Sequence, residues 1–512
     1  MGNFFKSKVF KSGLLLTSFG FLGKVVGAIF KIGLSVLVGS LGMGIYQLMF
    51  PLLVFFTVLS SGGFSLALTI KTAENKTKSK HGGYFKLSIA SCFILSLISS
   101  ILIVLFAKRL SKLQGSEISP NLYYIVAVGV VVISTLSIIK AKIQGEERFK
   151  LYSLAEIIED IFRVVIGLIL GYLLLGFGAD AAICGVFVGI ILSSLLSIIF
   201  LLIFRGNKGQ VVSIPLSRFE RKEFFKYSLL ALASALVVPI IQFIESAVVI
   251  NLLTATSNIS NMAATKLYGL SRGSVSAIIN IPFFVLSSFE ILLLPNLARS
   301  KNCGNYYKKT EVGLFLALAI SIPFVLLFEL YAPVVINFLY GNALSAAELS
   351  VSANLLQIGS VGIVFSAISI ILSVILNSNN IVKGPFIASI VAGAMKLVFI
   401  FVFVSKMSIY AVELSSVIFS MTMCLVNLIF AVKYKCFSSP KKVGGLTLIW
   451  SVLFALTWCI YKLFLNVVDS MFWACVIAFS VVAVVIVLSC TILYFINKEK
   501  VVKMFKQILA SE

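Results

Sequence analysis

The chain has 512 residues, of which 60% are hydrophobic and 12% charged, with a mean hydropathy of +1.10 and a formal net charge of +23. A soluble domain runs near half apolar and about a quarter charged, so this composition excludes one and describes a polytopic membrane protein. The positive charge does not point to nucleic acid, because the basic residues lie in short segments between apolar runs; anionic lipid headgroups are their ordinary partner.

In chain order, Lys6, Lys8 and Lys11 precede an apolar run as in a signal peptide. That run is too long, is charged inside and lacks an A-x-A-like cleavage site, so it is expected to stay as the first span. Residues 14 to 38 are long enough to cross a hydrocarbon core of about 30 Å, yet they contain Lys24 and Lys31. Seven apart on a helix, the two ammonium groups share one face with Gly20 and Gly27, giving a small, cationic stripe. A charge near mid-bilayer costs about 2.5 to 3.5 kcal/mol, tolerable where it meets a protein interior or a watery cavity. Snorkelling to the interface is the alternative for Lys31. The stripe predicts a positively charged cavity for an anionic substrate.

Further apolar segments follow at 45–70, 84–106, 122–140, 152–175, 181–204, 226–253, 274–294, 311–331, 354–376, 384–404, 410–432, 443–463 and 471–495, making about fourteen spans in an all-α membrane protein. An even number places both termini on one side. Of the 42 Lys and Arg, 31 fall on that side and 7 in the opposite loops, Lys266 and Arg272 among the 7. The positive-inside rule therefore predicts that both ends are cytoplasmic, and the protein is expected in the plasma membrane. The outer loops, the longest near 107–121, 254–273 and 332–353, have room for an interfacial helix at most. Residues 217–225 read as a basic amphipathic lead-in on the membrane surface.

Two halves repeat. Pro51 corresponds to Pro282, Phe85 and Lys86 to Tyr307 and Lys308, Leu136 to Ile139 with Ile368 to Ile371, and Arg163 to Lys396, at offsets of about 222 to 233. Six spans separate corresponding segments, an even number, so both copies keep one orientation about a pseudo-two-fold along the membrane normal. The expected organisation is an N-terminal lobe over residues 1–210, a C-terminal lobe over 211–436, and two further helices with a tail over 437–512.

Charges inside the spans are the candidate site residues. The fifth span carries Glu156, Glu159 and Arg163 on one face with Asp160 beside them, readable as a structural ion pair or as part of a site. Lys396 lies near the middle of the eleventh span with no acid within a turn. Glu245 and Glu290 are membrane-embedded acids that either bind Na⁺ or a proton or neutralise a lysine. No nucleophile motif, phosphate loop or metal-ligand cluster occurs, so no catalytic residue, metal or cofactor is expected. Glycine pairs four apart, Gly23 and Gly27, Gly167 and Gly171, Gly185 and Gly189, predict close helix packing.

Three stretches carry a resemblance: GSLGMGIYQLMFPLLVFFTVLSSGGFSLALTIKTAE (Gly39 to Glu74), IQGEERFKLYSLAEIIEDIFRV (Ile143 to Val164) and LYGLSRGSVSAIINIPFFVLSSFEILLLPNLA (Leu267 to Ala298). They resemble the polysaccharide flippases of the multidrug/oligosaccharidyl-lipid/polysaccharide superfamily, nearest to the stage V sporulation protein B group and more distantly to MurJ-type lipid II and Wzx-type O-unit flippases. The resemblance spans residues 10 to 435. It implies two six-helix lobes around a central cavity, two extra C-terminal helices, and transport of an undecaprenyl-pyrophosphate-linked saccharide to the outer leaflet; alternating access by a monomer is the expected mode. It also implies that Lys24 and Lys31 stand where the family has first-helix cations, and that Gln144, Gly145, Glu156, Glu159 and Arg163 match its signature before and within the fifth span. Gly42 and Phe55 occupy the places of an acid and an arginine typical of lipid II flippases, and the eighth-helix arginine is replaced near Ala277, so lipid II is not singled out as substrate.

The expected function is flipping with Lys24, Lys31, Arg163 and Lys396 holding pyrophosphate, driven by Na⁺, H⁺ or the membrane potential. The alternatives are a multidrug or cation antiporter of the same superfamily and, from another class, a membrane glycan polymerase or ligase.

Overall fold

With no water in the bilayer core, each backbone N–H and C=O must find its partner within the segment, which leaves the helix as the economical solution for these apolar runs. The computed structural model describes residues 8–74, 81–115, 118–204, 216–257, 259–300 and 306–436, and helices make up nearly all of them. Ten are long and apolar enough to cross a membrane, or eleven counting a pair bent by 44°. The last two expected spans, 443–463 and 471–495, lie outside the described residues.

Helix α1 (Lys8–Glu74) holds the first two expected spans in one run broken at Gly39, at φ +65° and ψ −170°. Only glycine adopts that backbone at little cost. The apolar part of α1, 55 residues from Gly20, would be about 80 Å long as a single rod, far beyond one crossing; the break at Gly39 makes it two arms. Next come α2 (His81–Leu113), α3 (Pro120–Gly145), α4 (Phe149–Leu174), α5 (Ala179–Phe204) and α6 (Arg218–Ser257). Then follow α7 (Asn261–Tyr268), a π-helical turn (Gly269–Val275), α8 (Ser276–Ile279) and α9 (Ile281–Ser300). The chain continues through α10 (Tyr306–Tyr340), α11 (Ala346–Ser378), α12 (Lys383–Met407) and α13 (Ile409–Lys433). The repeat-matched residues fall in elements that correspond in order: α2 with α10, α3 with α11, and α4 with α12.

Packing divides the described residues into two units, 18–274 with 401–409, and 275–400 with 8–17 and 410–436. The break after Ser274 groups α6 and α7 with α1 to α5, whereas the sequence repeat divides the chain at 210/211.

In the first unit the helices pack inside out relative to a soluble bundle. The buried face of α2 is Tyr84, Ser88, Cys92, Ser96, Ser99, Ile103 and Ala107, while Ile94, Leu97, Ile101 and Leu105 are exposed. Lipid accepts the large apolar side chains, and small residues let the backbones meet. Ser60 and Ser99 hydrogen-bond at 3.2 Å, joining α1 to α2. Helices α4 and α5 approach through the expected glycines: a Cβ on Gly189 would lie 2.5 Å from the Gly167 Cα, and one on Gly185 2.6 Å from the Leu170 carbonyl oxygen.

Residues 254–273, expected as an outer loop, are instead largely helical and packed on α1. A Cβ on Gly44 would fall 2.1 Å from the Thr265 carbonyl oxygen, and one on Gly269 2.2 Å from that of Ser40. The short apolar content of this stretch hides a buried element, because small residues bury by close approach more than by hydrophobic area. The basic lead-in at 217–225 is the first part of α6, with Phe219 exposed and Phe224 fully buried against Tyr84 and Phe64. Glu223 there pairs with Lys71 at 3.1 Å.

In the second unit, α10 extends to Tyr340 through a bend at Tyr331, two residues before Pro333, and so takes in part of another expected loop. A capping box formed by Ser345 and Glu348 starts α11. Helices α11 and α13 are joined by Ser366 with Ser420 at 2.7 Å, and by Asn427 donating to Ser369 and Ser373 at 3.0 Å each.

Candidate functional site: a polar cavity in the first unit

The turn between α3 and α4 is short enough to be closed by Glu147 in the left-handed region, at φ +56°. It brings the C-terminal end of α3 beside the N-terminal half of α4. Lys140 and Gln144 thereby share a cavity of about 550 Å³ with Tyr152, Glu156, Glu159, Asp160 and Arg163, and Ser65, Leu66 and Thr69 of the second arm of α1 complete its wall. Gly145 permits the crossing, since a Cβ there would lie 2.8 Å from the Thr69 carbonyl oxygen.

Glu159 is the centre of the charges. Its side chain is 8% exposed and accepts from Lys140 Nζ at 2.6 Å, Arg163 Nη2 at 2.6 Å and Ser194 Oγ at 3.3 Å. Arg163 Nη1 donates to Asp160 at 3.1 Å, and Tyr152 donates to Glu156 at 2.8 Å. A buried carboxylate is tolerated only with such partners, and removing them leaves an uncompensated charge. The charged lining as a whole is three carboxylates against two cations, so this cavity is acidic in sum.

The residues singled out in the sequence therefore separate. Gln144, Glu156, Glu159 and Arg163 come together here, with the guanidinium of Arg163 engaged by two carboxylates. Lys24 and Lys31 do not line this cavity. Lys24 is exposed and Lys31 half-buried on the first arm of α1, and Lys31 has no ion-pair partner among the described residues. Asp160 stands against Gly23, the residue before Lys24: a Cβ on Gly23 would lie 2.7 Å from its Oδ2. Glu245 is buried and paired with Arg272 of the π-helical turn, so Arg272 is no loop charge. Lys396, buried in α12, and Glu290, half-buried in α9, belong to the second unit.

Sequence reasoning missed Lys140, the last residue of an expected span, and Ser194 on α5. It also passed over two acids inside expected spans of the second unit. Glu329 accepts from Ser360 at 3.0 Å, and Glu413 is buried with Oε1 2.5 Å from where a Gly359 Cβ would be. An inventory of every in-span acid would have found both.

The family described as "Polysaccharide biosynthesis protein" matches residues 9–301. The chain belongs to that family. Stage V sporulation protein B of Bacillus subtilis (strain 168) is 22% identical over 364 residues, covering 68% of this chain and 70% of that protein. Lipid II flippase MurJ of the same strain is 21% identical over 436 residues, covering 77% and 76%. Among solved structures, the inward-facing conformation of a multidrug resistance MATE family transporter of the MOP superfamily superposes with a TM-score of 0.66 at 16% identity, over 82% of this chain and 98% of that one. Lipid II flippase MurJ in an inward closed conformation gives a TM-score of 0.64 at 17% identity, over 94% and 99%. This polysaccharide biosynthesis family member thus has the transporter fold of the multidrug/oligosaccharidyl-lipid/polysaccharide superfamily. It is a multi-pass membrane transporter and not an enzyme, which removes the polymerase or ligase alternative.

Proposed function

We infer that this protein flips an undecaprenyl-pyrophosphate-linked saccharide from the inner to the outer leaflet of the plasma membrane by alternating access, as a monomer with both termini cytoplasmic. The observation that supports this most is membership of the polysaccharide biosynthesis family in a chain whose fold matches a lipid II flippase over 94% of its length. Lys24, Lys31 and Lys396 are the cations assigned to the pyrophosphate, and Lys31 is the one whose ammonium is uncommitted among the described residues. Arg163 is better suited to holding the charged network together, because two carboxylates already neutralise it.

The membrane potential supplies the drive in this reading. Glu159 and Glu245 are each engaged by built-in cations, which leaves them little call for Na⁺ or H⁺, whereas outward movement of phosphate charge is favoured by a potential negative inside. Reconstitution in proteoliposomes with a fluorescent undecaprenyl-pyrophosphate disaccharide tests it. The double variant Lys24→Ala with Lys396→Ala is expected to slow flipping at least tenfold, and an unchanged rate would discard the cationic role.

Likeness in fold to a multidrug transporter, together with the acidic cavity, supports a second reading as an exporter of cationic drugs. Loss of resistance to cationic dyes on deleting the gene, with flipping intact, would favour it.

A further inference from the structure

We propose that the cavity between α3, α4 and the second arm of α1 receives the saccharide of the transported lipid, and that it selects uncharged, hydroxyl-rich sugars over acidic ones. The proposal rests on the flippase reading above.

The argument comes from the groups left over once the ion pairs are made. Glu159 is fully engaged, by Lys140, Arg163 and Ser194. Around it, three polar groups of half-buried residues lining the same space make no hydrogen bond among the described residues: the side-chain amide of Gln144, the hydroxyl of Ser137 and Oε2 of Glu156. Polar groups that face an accessible cavity and are not tied to the protein are free to bind water or the polar atoms of a ligand, and these three converge on one space.

Their chemistry narrows the ligand. A bare cation would need acceptors only, and a pyrophosphate donors only. Here donors and acceptors are mixed: the amide and the serine hydroxyl do both, and the glutamate oxygen accepts. Sugar hydroxyls, each able to donate and accept, match that mixture. The excess of one carboxylate over the two cations repels phosphate and uronic acid groups. A volume of about 550 Å³ lies within the ordinary range for small-ligand pockets. Asp160, on the cavity wall, abuts Gly23 next to Lys24, so a sugar held here is continuous along the same unit with the cationic stripe assigned to pyrophosphate.

The test uses the full chain in nanodiscs and two soluble probes, farnesyl pyrophosphate and its N-acetylglucosamine conjugate, with binding followed by intrinsic fluorescence. The wild type is expected to bind the conjugate about tenfold more tightly than the bare pyrophosphate. Gln144→Ala and, separately, Glu156→Ala should abolish that difference while leaving the affinity for farnesyl pyrophosphate in place; both leave the Glu159 ion pairs intact, and thermal melting verifies folding. Equal binding of the two probes by the wild type overturns the sugar assignment alone. So does a loss that falls equally on both probes, or a probe preference that appears only on adding Na⁺, the mark of an ion site. Binding of neither probe overturns the flippase reading itself and the sugar assignment with it.

Discussion

Glu159 shows how a charge is made admissible at membrane depth. Two cations from different helices and one serine hydroxyl meet its two oxygens, so the group is buried as a near-neutral cluster in place of a bare ion. Removing it strands Lys140 and leaves Arg163 with Asp160 alone. Glu159→Ala is therefore expected to destabilise the purified protein by about 3 kcal/mol, read as a clear fall in the melting temperature in detergent. Replacing Glu159 and Lys140 by Gln together should cost less than the sum of the two single changes, because the partners are lost as a pair. A melting temperature unmoved by Glu159→Ala would mean that the cluster carries no structural weight.

Glycine governs the elements in two separate ways. Gly39 turns α1 into two arms by adopting a backbone that a Cβ opposes, so Gly39→Ala should cost about 1 to 2 kcal/mol. Gly189 acts by proximity: its partner 2.5 Å from a hypothetical Cβ is the Gly167 backbone, which cannot swing aside, so even Gly189→Ala must part α4 from α5. A Cβ on Gly20, by contrast, meets nothing within 4 Å among the described residues, and Gly20→Ala should leave the fold unmoved. Melting of the three variants side by side checks the order; equal behaviour of Gly189→Ala and Gly20→Ala would contradict the close-packing account.

For the whole molecule the question is what drives the cycle. A potential of 100 mV, negative inside, favours outward movement by about 2.3 kcal/mol per negative charge, hence about 4.6 kcal/mol for two phosphate charges. Proteoliposomes poised with valinomycin and a K⁺ gradient should flip the labelled lipid faster and to greater accumulation as the interior of the donor side becomes more negative. Accumulation that follows a Na⁺ or proton gradient at zero potential would transfer the drive to the embedded acids.

The sequence by itself determined the helical membrane fold, the approximate place of each span as far as residue 433, the pairing of Glu159 with Arg163, and the close approach of α4 and α5 through their glycines. These are encoded locally, in runs of apolar residues long enough to cross a bilayer and in spacings of three, four and seven along one helix. Only the tertiary structure decided that 254–273 is a buried element, that Lys140 and Ser194 complete the Glu159 cluster, that Arg272 pairs with Glu245, and that Gln144 faces a cavity with its amide unclaimed. Each of those depends on which helices are neighbours and on how closely their backbones approach, and no periodicity within a single segment records that.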